Sequence, residues 1–276
     1  MRIDAHQHYW NPQRGDYGWL TPQLGTLYRE FGPADLAPWR ERAGIDRTVI
    51  VQAAPTVAET RYLLDIARGE ASVAGVVGWV PLADPDAPSL IAELAPELKF
   101  KGVRPMLQDL PDDNWIANPA LGPAIEALIA HDLAFDALIF ARHVDALHTF
   151  ATRFPALRIV VDHGAKPPIR DGAAGWQPWA DGIARLAALP NVHCKLSGLA
   201  TEAAEGWTEA TLAPYVAHLL AQFGPSRLMW GSDWPVLNLN GDYLLWHACA
   251  NALVAELSEG ERDAIFGANA SAFYRL

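Results

Sequence analysis

What most constrains this chain is a rhythm. Eight short apolar or β-branched runs recur along it: Arg2–His8, Thr48–Ala53, Ala74–Val80, Phe100–Arg104, Leu133–Leu138, Arg158–His163, Val192–Ser197 and Leu228–Asp233. Between them lie stretches with apolar residues at helical spacing, such as Glu59–Arg68, Ser89–Glu97, Pro119–His131, His143–Phe154, Trp179–Ala188 and Leu212–Phe223. Strands that alternate with helices read as parallel βα units. Eight such units in 276 residues predict an α/β fold, a (β/α)8 TIM barrel, rather than an open doubly wound sheet. An open sheet of that kind usually carries a glycine-rich phosphate turn after an early strand, and no GxGxxG occurs here. No linker, low-complexity stretch or charge block divides the chain, so residues 1–276 are expected to form one domain. The final helical segment, Glu259–Tyr274, is expected to close the barrel from outside.

The units are uneven. Roughly forty residues separate the first two strands, far more than an ordinary βα connection. The stretch from Trp10 to Pro38 is rich in Pro, Gly, Tyr and Trp, with a helix signal only after Asp35. Loops that follow barrel strands emerge at the C-terminal face, so a distorted barrel with a long lid after strand one is expected. The segments Lys166–Pro178 and Leu237–Tyr243 emerge at the same face.

Composition removes other classes. A net charge of −11 argues against nucleic acid as a partner, because phosphate binding needs clustered Lys and Arg. There is neither a basic amphipathic stretch for a membrane surface nor an apolar run of membrane-spanning length. Cys194 and Cys249, the only cysteines, give no disulfide framework; with no leader before His6, a cytoplasmic setting is the expectation.

The chemistry is concentrated at the strand tips. Alternate side chains of a strand point the same way, so Asp4, His6 and His8 are expected to share one face. Two imidazoles about 7 Å apart along a strand suit two ligands of one metal ion. Asp233, just before Trp234-Pro235, reads as a carboxylate held at the tip of strand eight. A closed barrel brings strands one and eight together. Strand four contributes Arg104, with Gln108 shortly beyond, and strand six ends Asp162-His163 with Lys166 three residues on. Such a set fits hydrolysis: the histidines ligate a metal or polarise a carbonyl, Asp233 takes a proton from water, and Arg104 holds an oxygen. Arg104 also has a structural reading, as a pin for a loop, and Lys166 one as a solvated residue. Eleven tryptophans is a high count, and several fall in loops (Trp10, Trp19, Trp115, Trp176, Trp179, Trp234), where they line a pocket or cap the barrel ends. His143 and His148 are read as surface residues on an outer helix. His193 and Cys194 face opposite ways and are left out of the site.

Taken together, His6-Gln7-His8, Asp162-His163 with Lys166-Pro167, Lys195-Leu196-Ser197-Gly198 and Gly231-Ser232-Asp233-Trp234-Pro235 resemble the amidohydrolase-2 branch of the amidohydrolase superfamily. Within it they look most like the lactonase-type TIM-barrel hydrolases. The resemblance spans His6 to Phe273. It implies a distorted barrel that opens a cyclic ester, a sugar-acid lactone, with water. Asp233 matches the general base; His6, His8 and His163 match the metal or carbonyl-polarising cluster, with Asp233 able to complete a mononuclear site. The sequence departs from binuclear members at two points. Arg104 stands where they carry a carboxylated lysine, and Ala134–Leu138 offers no histidine at strand five. The expectation is therefore one divalent ion, zinc by its donor set, or none, and turnover need not depend on it. The expected partner is a small-molecule lactone bound by a monomer or small homo-oligomer. Trp10, Gln108, Trp115, Lys166 and Trp234, with Asn238 and Asn240, are the candidates for reading it. A second reading within the same branch is metal-dependent, non-oxidative decarboxylation of an aromatic or muconate-type acid.

Overall fold

The computed structural model describes residues 1–276. Eight strands, β1 (Ile3–Gln7), β2 (Arg47–Val51), β3 (Val73–Gly78), β4 (Phe100–Val103), β5 (Ala134–Ala137), β6 (Ile159–Val161), β7 (Val192–Leu196) and β8 (Leu228–Trp230), form one sheet in sequence order. Each pairs in parallel with the next. The helices are α1 (Pro33–Arg42), α2 (Val57–Gly69), α3 (Ala87–Leu94), α4 (Gly122–Ala130), α5 (Val144–Arg153), α6 (Trp176–Ala187), α7 (Leu199–Glu202), α8 (Glu209–Phe223), α9 (Tyr243–Leu253), α10 (Glu259–Asp263) and α11 (Asn269–Tyr274). This is the expected (β/α)8 TIM barrel. No helix is long and apolar enough to cross a membrane.

The barrel is distorted at its seam. Between β8 and β1 the pairing reduces to the tips: Gln7 bridges Trp234, Asp233 N donates to His6 O (2.8 Å), and His8 N donates to Trp234 O (2.7 Å). Most strands also stop short of the apolar runs that announce them, and β6 and β8 end two and three residues early. The polar ends of those runs leave the ladder to face the mouth. His163 and Asp233 take left-handed backbone conformations (φ 54° and 59°), each worth about 1–3 kcal/mol of strain in a non-glycine residue.

Local irregularity also corrects one expectation. Strict alternation would place Asp4 beside His6 and His8, but the β1–β2 register shifts between Asp4 and Gln7. Ile3 and Ala5 then fill the barrel interior with Val49, Val51 and Val77, while His6 also turns inward. Asp4 faces the helix layer, where it accepts from Tyr243 Oη (3.1 Å) and from the amides of His6 (3.1 Å) and Ser232 (2.9 Å). It is a tie between β1 and the tip of β8. This is the re-aiming that a β-bulge produces. Gly231 makes the close approach possible, since a Cβ there would lie 2.7 Å from that of His6.

The last segment corrects another. Glu259–Tyr274 is broken by a π-helical turn at Ala264–Ala268, where Gly267 lets the Met1 carbonyl pass. Beyond it, α11 drives Phe273 and Tyr274 into the floor of the barrel. The segment plugs the barrel from below rather than bracing it from outside. The lid after β1 folds back through a Trp10–Phe31 bridge and contains two 3-10 turns, Pro12–Arg14 and Pro22–Leu27. Its indoles pin it down: Trp10 Nε1 donates to Leu27 O (3.2 Å) and Arg29 O (3.0 Å), and Trp19 Nε1 to Ala53 O (2.7 Å).

Candidate active site

His6, His8, His163 and Asp233 meet at the C-terminal mouth of the barrel. Nε2 of His6 and Nε2 of His8 lie 3.2 Å apart, and Asp233 Oδ1 is 3.7 Å, 3.3 Å and 3.8 Å from Nε2 of His6, His8 and His163. Tetrahedral ligands with metal–nitrogen bonds of about 2.0–2.1 Å stand roughly 3.3 Å apart, so this spacing is that of a cation's donors.

The outer nitrogens of the rings have partners that aim the inner ones. His8 Nδ1 lies 2.8 Å from Val51 O, which can only accept, so the proton sits on Nδ1 and Nε2 presents its lone pair. His6 Nδ1 faces Asp162 Oδ1 at 3.3 Å and Lys195 Nζ at 3.1 Å. Lys195 has two carboxylates, Asp136 at 2.5 Å and Asp162 at 3.0 Å, and charge-assisted bonds prevail, so we assign His6 Nδ1–H to Asp162. A carboxylate behind a ligating imidazole is the arrangement that orients metal-bound histidines. His163 Nδ1 is 2.8 Å from Ser197 Oγ. Its neighbour Gly198 (φ 66°) carries no side chain because a Cβ would strike the His163 ring. This gives the Lys195-Leu196-Ser197-Gly198 motif its physical meaning.

Electrostatics keep the set in a ligating state. Burial pushes the imidazolium form of His163 down to about 4, and burial with the charge of Lys195 holds His6 well below its ordinary value. Burial alone would raise Asp233, but His163, His8 and His6 pull it below the usual carboxylate range. The donor atoms of His6, His8 and Asp233, and those of His6, Asp162 and His163, each lie close enough together to hold a divalent metal ion. Arg104 sits just beside them, its Nη1 3.5 Å from His6 Nε2 and 3.4 Å from Asp162 Oδ2. Its Nη2 donates to Gln52 O, and Gln52 Nε2 returns a bond to Arg104 O (2.7 Å). Arg104 thus pins the β2 tip and also lines the mouth of the site.

Beneath this layer lies one that the strand pattern did not reveal as part of the site. Asp136, Asp162 and Lys195 are fully buried, and Tyr274 reaches up from the floor to donate to Asp136 (2.7 Å). Burial raises Asp136 to about 6; for Asp162 the same burial is outweighed by Lys195, His6 and Arg104, which hold it well down. The sequence signal was there: a lysine and an aspartate in the middle of otherwise apolar barrel strands.

The mouth is a cavity of about 270 Å³ lined by His8, Arg104, His163 and Asp233, and by Trp10, Gln108 and Lys166 from the candidate substrate contacts. Trp10 offers only its ring, its N–H being spent on the lid, whereas Gln108 Oε1 has no partner. Lys166 Nζ stands 3.9 Å from Glu202. Trp115 and Trp234 lie outside this cavity. Trp115 lines a neighbouring one, and Trp234 is buried against Phe31 and Tyr9 because the turn after Asp233 swings it behind the lid. Asn238 is beside Trp39 in a separate hollow, and Asn240 Nδ2 ties two loops by donating to Ala200 O and Ala203 O. His148 is half-buried, and His143 is no surface residue at all: it is buried, with Nδ1 accepting from Phe140 N and Nε2 3.1 Å from Asp113. Both cysteines are free and buried.

Known proteins resemble this chain over its full length. Over its full length the chain is 53% identical to an L-fucono-1,5-lactonase of Burkholderia ambifaria, of which it covers 96%. It is 36% identical to an L-fucono-1,5-lactonase of Burkholderia multivorans, again over 100% of this chain and 96% of that one. A crystal structure of an amidohydrolase from Burkholderia multivorans with bound zinc superposes with a TM-score of 0.95 at 34% identity, covering 100% of this chain and 99% of that chain. Residues 3–276 match the amidohydrolase family Amidohydro_2, and the chain belongs to that family.

Proposed function

We propose that this chain, acting as one catalytic domain, opens a sugar-acid lactone, an aldonolactone of the L-fucono-1,5-lactone kind, to the hydroxy acid. The carrying observation is the convergence of His6, His8, His163 and Asp233 at the foot of a cavity sized for one small ring. The two lactonase relatives support the substrate class. Zinc suits the nitrogen and oxygen donors of His6, His8, His163 and Asp233. When bound, it would act as a Lewis acid on the lactone carbonyl.

The residues supply the rest. Asp233 turns Oδ1 toward the imidazoles, which leaves Oδ2 to take a proton from water as the oxygen adds to the carbonyl carbon. Arg104, at the edge of the cavity, is placed to receive negative charge developing on the carbonyl oxygen. Asp233 then returns the proton to the ring oxygen as the C–O bond breaks. Trp10 packs against the ring, while Gln108 and Lys166 bond its hydroxyls.

The decarboxylase reading calls for a cation free to clamp a substrate carboxylate. Arg104 and Lys166 both line the cavity, but Asp233 and Asp109 line it too, and the relatives at 53% and 36% identity are lactonases, so a neutral lactone is favoured. The test is a panel of aldonolactones and aromatic acids, followed by proton release and carbon dioxide, with elemental analysis before and after chelation. Acid release from an aldonolactone and about one zinc per chain, lost in His6→Ala, are expected. Carbon dioxide from an aromatic acid with no acid from any lactone would overturn the assignment.

A further inference from the structure

Two cavities open at the mouth. The second, of about 890 Å³, lies over the tips of β2, β3 and β4 and shares Trp19, Met106 and Asp109 with the first. At about 270 Å³, the first falls below the range of roughly 300–1,000 Å³ that drug-sized ligands occupy, so it has room for one small ring. The larger space is more than that ring needs.

Its walls state a chemistry. Trp19, Trp79 and Trp115 are half-buried and present ring surface to it, and Asp84 and Asp109 are exposed at its edge. Neither lysine nor arginine lines it. Aromatic faces accept the C–H faces of a sugar ring, and carboxylates accept its hydroxyls; an anionic group would meet only like charge. The two spaces adjoin: Trp19, Met106 and Asp109 wall both, so a substituent that leaves the small cavity past that wall enters the larger one.

We propose that this second cavity is a sugar subsite, so that the enzyme takes aldonolactones carrying a neutral glycosyl substituent distant from the lactone carbonyl. Turnover of such substrates rests on the lactonase reading; binding in the subsite does not. The experiment compares a hexonolactone with the lactone of a neutral disaccharide aldonic acid in wild type, Trp79→Ala and Asp84→Ala, alongside calorimetric titration with a neutral disaccharide alditol. The glycosylated lactone should show a KM at least fivefold below that of the parent. Trp79→Ala should raise that KM about tenfold and leave parent-lactone kinetics unchanged, which also verifies folding; Asp84→Ala, at an exposed position, repeats the test if Trp79→Ala does not fold. Failure to open the glycosylated lactone by enzyme that opens the parent, or equal KM shifts for both, overturns the subsite. If neither lactone is opened, the lactonase reading falls alone and the titration decides: alditol binding that Trp79→Ala abolishes sustains the subsite, and no binding to wild type overturns it.

Discussion

The floor and the mouth of this barrel are built from the same eight strands and filled oppositely. At the floor, Ile3, Ala5, Val49, Val160 and Met229 pack against Phe273 of α11, with every side chain apolar and in contact. One layer up, the same strands and the turns after them bury His6, Asp136, Asp162, Lys195 and Asp233. Burial stabilises the first set and opposes the second, because each charged or polar group must recover its lost hydration from a neighbour. The lower half can thus hold the fold while the upper half keeps strained backbone and partly uncompensated polar atoms for chemistry. Asp136 Oδ1 and Gln108 Oε1 are buried without partners, and His163 and Asp233 sit at positive φ.

The contrast is sharpest at Asp233. Asp233→Asn should fold normally and lose roughly 10²–10⁴-fold in kcat, the range for a missing general base. Retention of a tenth or more of wild-type turnover would place the base elsewhere. Lys195 lies between the two layers. Lys195→Met leaves the Asp136 and Asp162 pair without its cation, and a loss of about 3–5 kcal/mol in urea denaturation is expected. A loss below about 1 kcal/mol would mean that the carboxylates share a proton and need no cation. At the floor, Phe273→Ala should cost about 3–5 kcal/mol through the cavity it leaves, with kcat/KM at 25 °C within twofold of wild type. An equal fall in activity would show that floor and mouth are mechanically coupled through Tyr274.

The smallest effect concerns Glu59, buried on the first turn of α2, where it accepts from the amides of Ala53 and Ala54 and so shapes the wall behind the lid. Burial pushes its carboxyl from an ordinary 4.5 up to about 7. Between those values the folded state holds a proton that the unfolded state has released, so its contribution is full below pH 4.5 and lost as pH rises through 7. Glu59→Gln should therefore gain stability on wild type across that window, by at most about 3 kcal/mol. Parallel pH–stability curves for the two proteins would remove the argument.

Much of this was legible in advance, and the limit has a pattern. The strand–helix rhythm, the His6-Gln7-His8 element and the Gly231–Pro235 turn are local, so period and motif carry them. The lid after β1 was readable from loop length. Trp115 and Trp234 were not placed correctly, because a tryptophan's destination depends on how a loop swings rather than on its own neighbours. Asp4 was misread because one shifted register inverts which residues face inward.

By itself, then, the sequence determined the barrel, the order of its strands and the four residues that converge at its mouth, since parallel closure brings strand tips together whatever the loops do. Only the tertiary structure decided what stands behind them. Lys195 meets Asp136 across 59 residues, and Tyr274 meets the same carboxylate across 138. Such contacts leave no periodicity in the chain; they exist because closing the barrel forces buried charges from separate strands to find one another where water cannot reach.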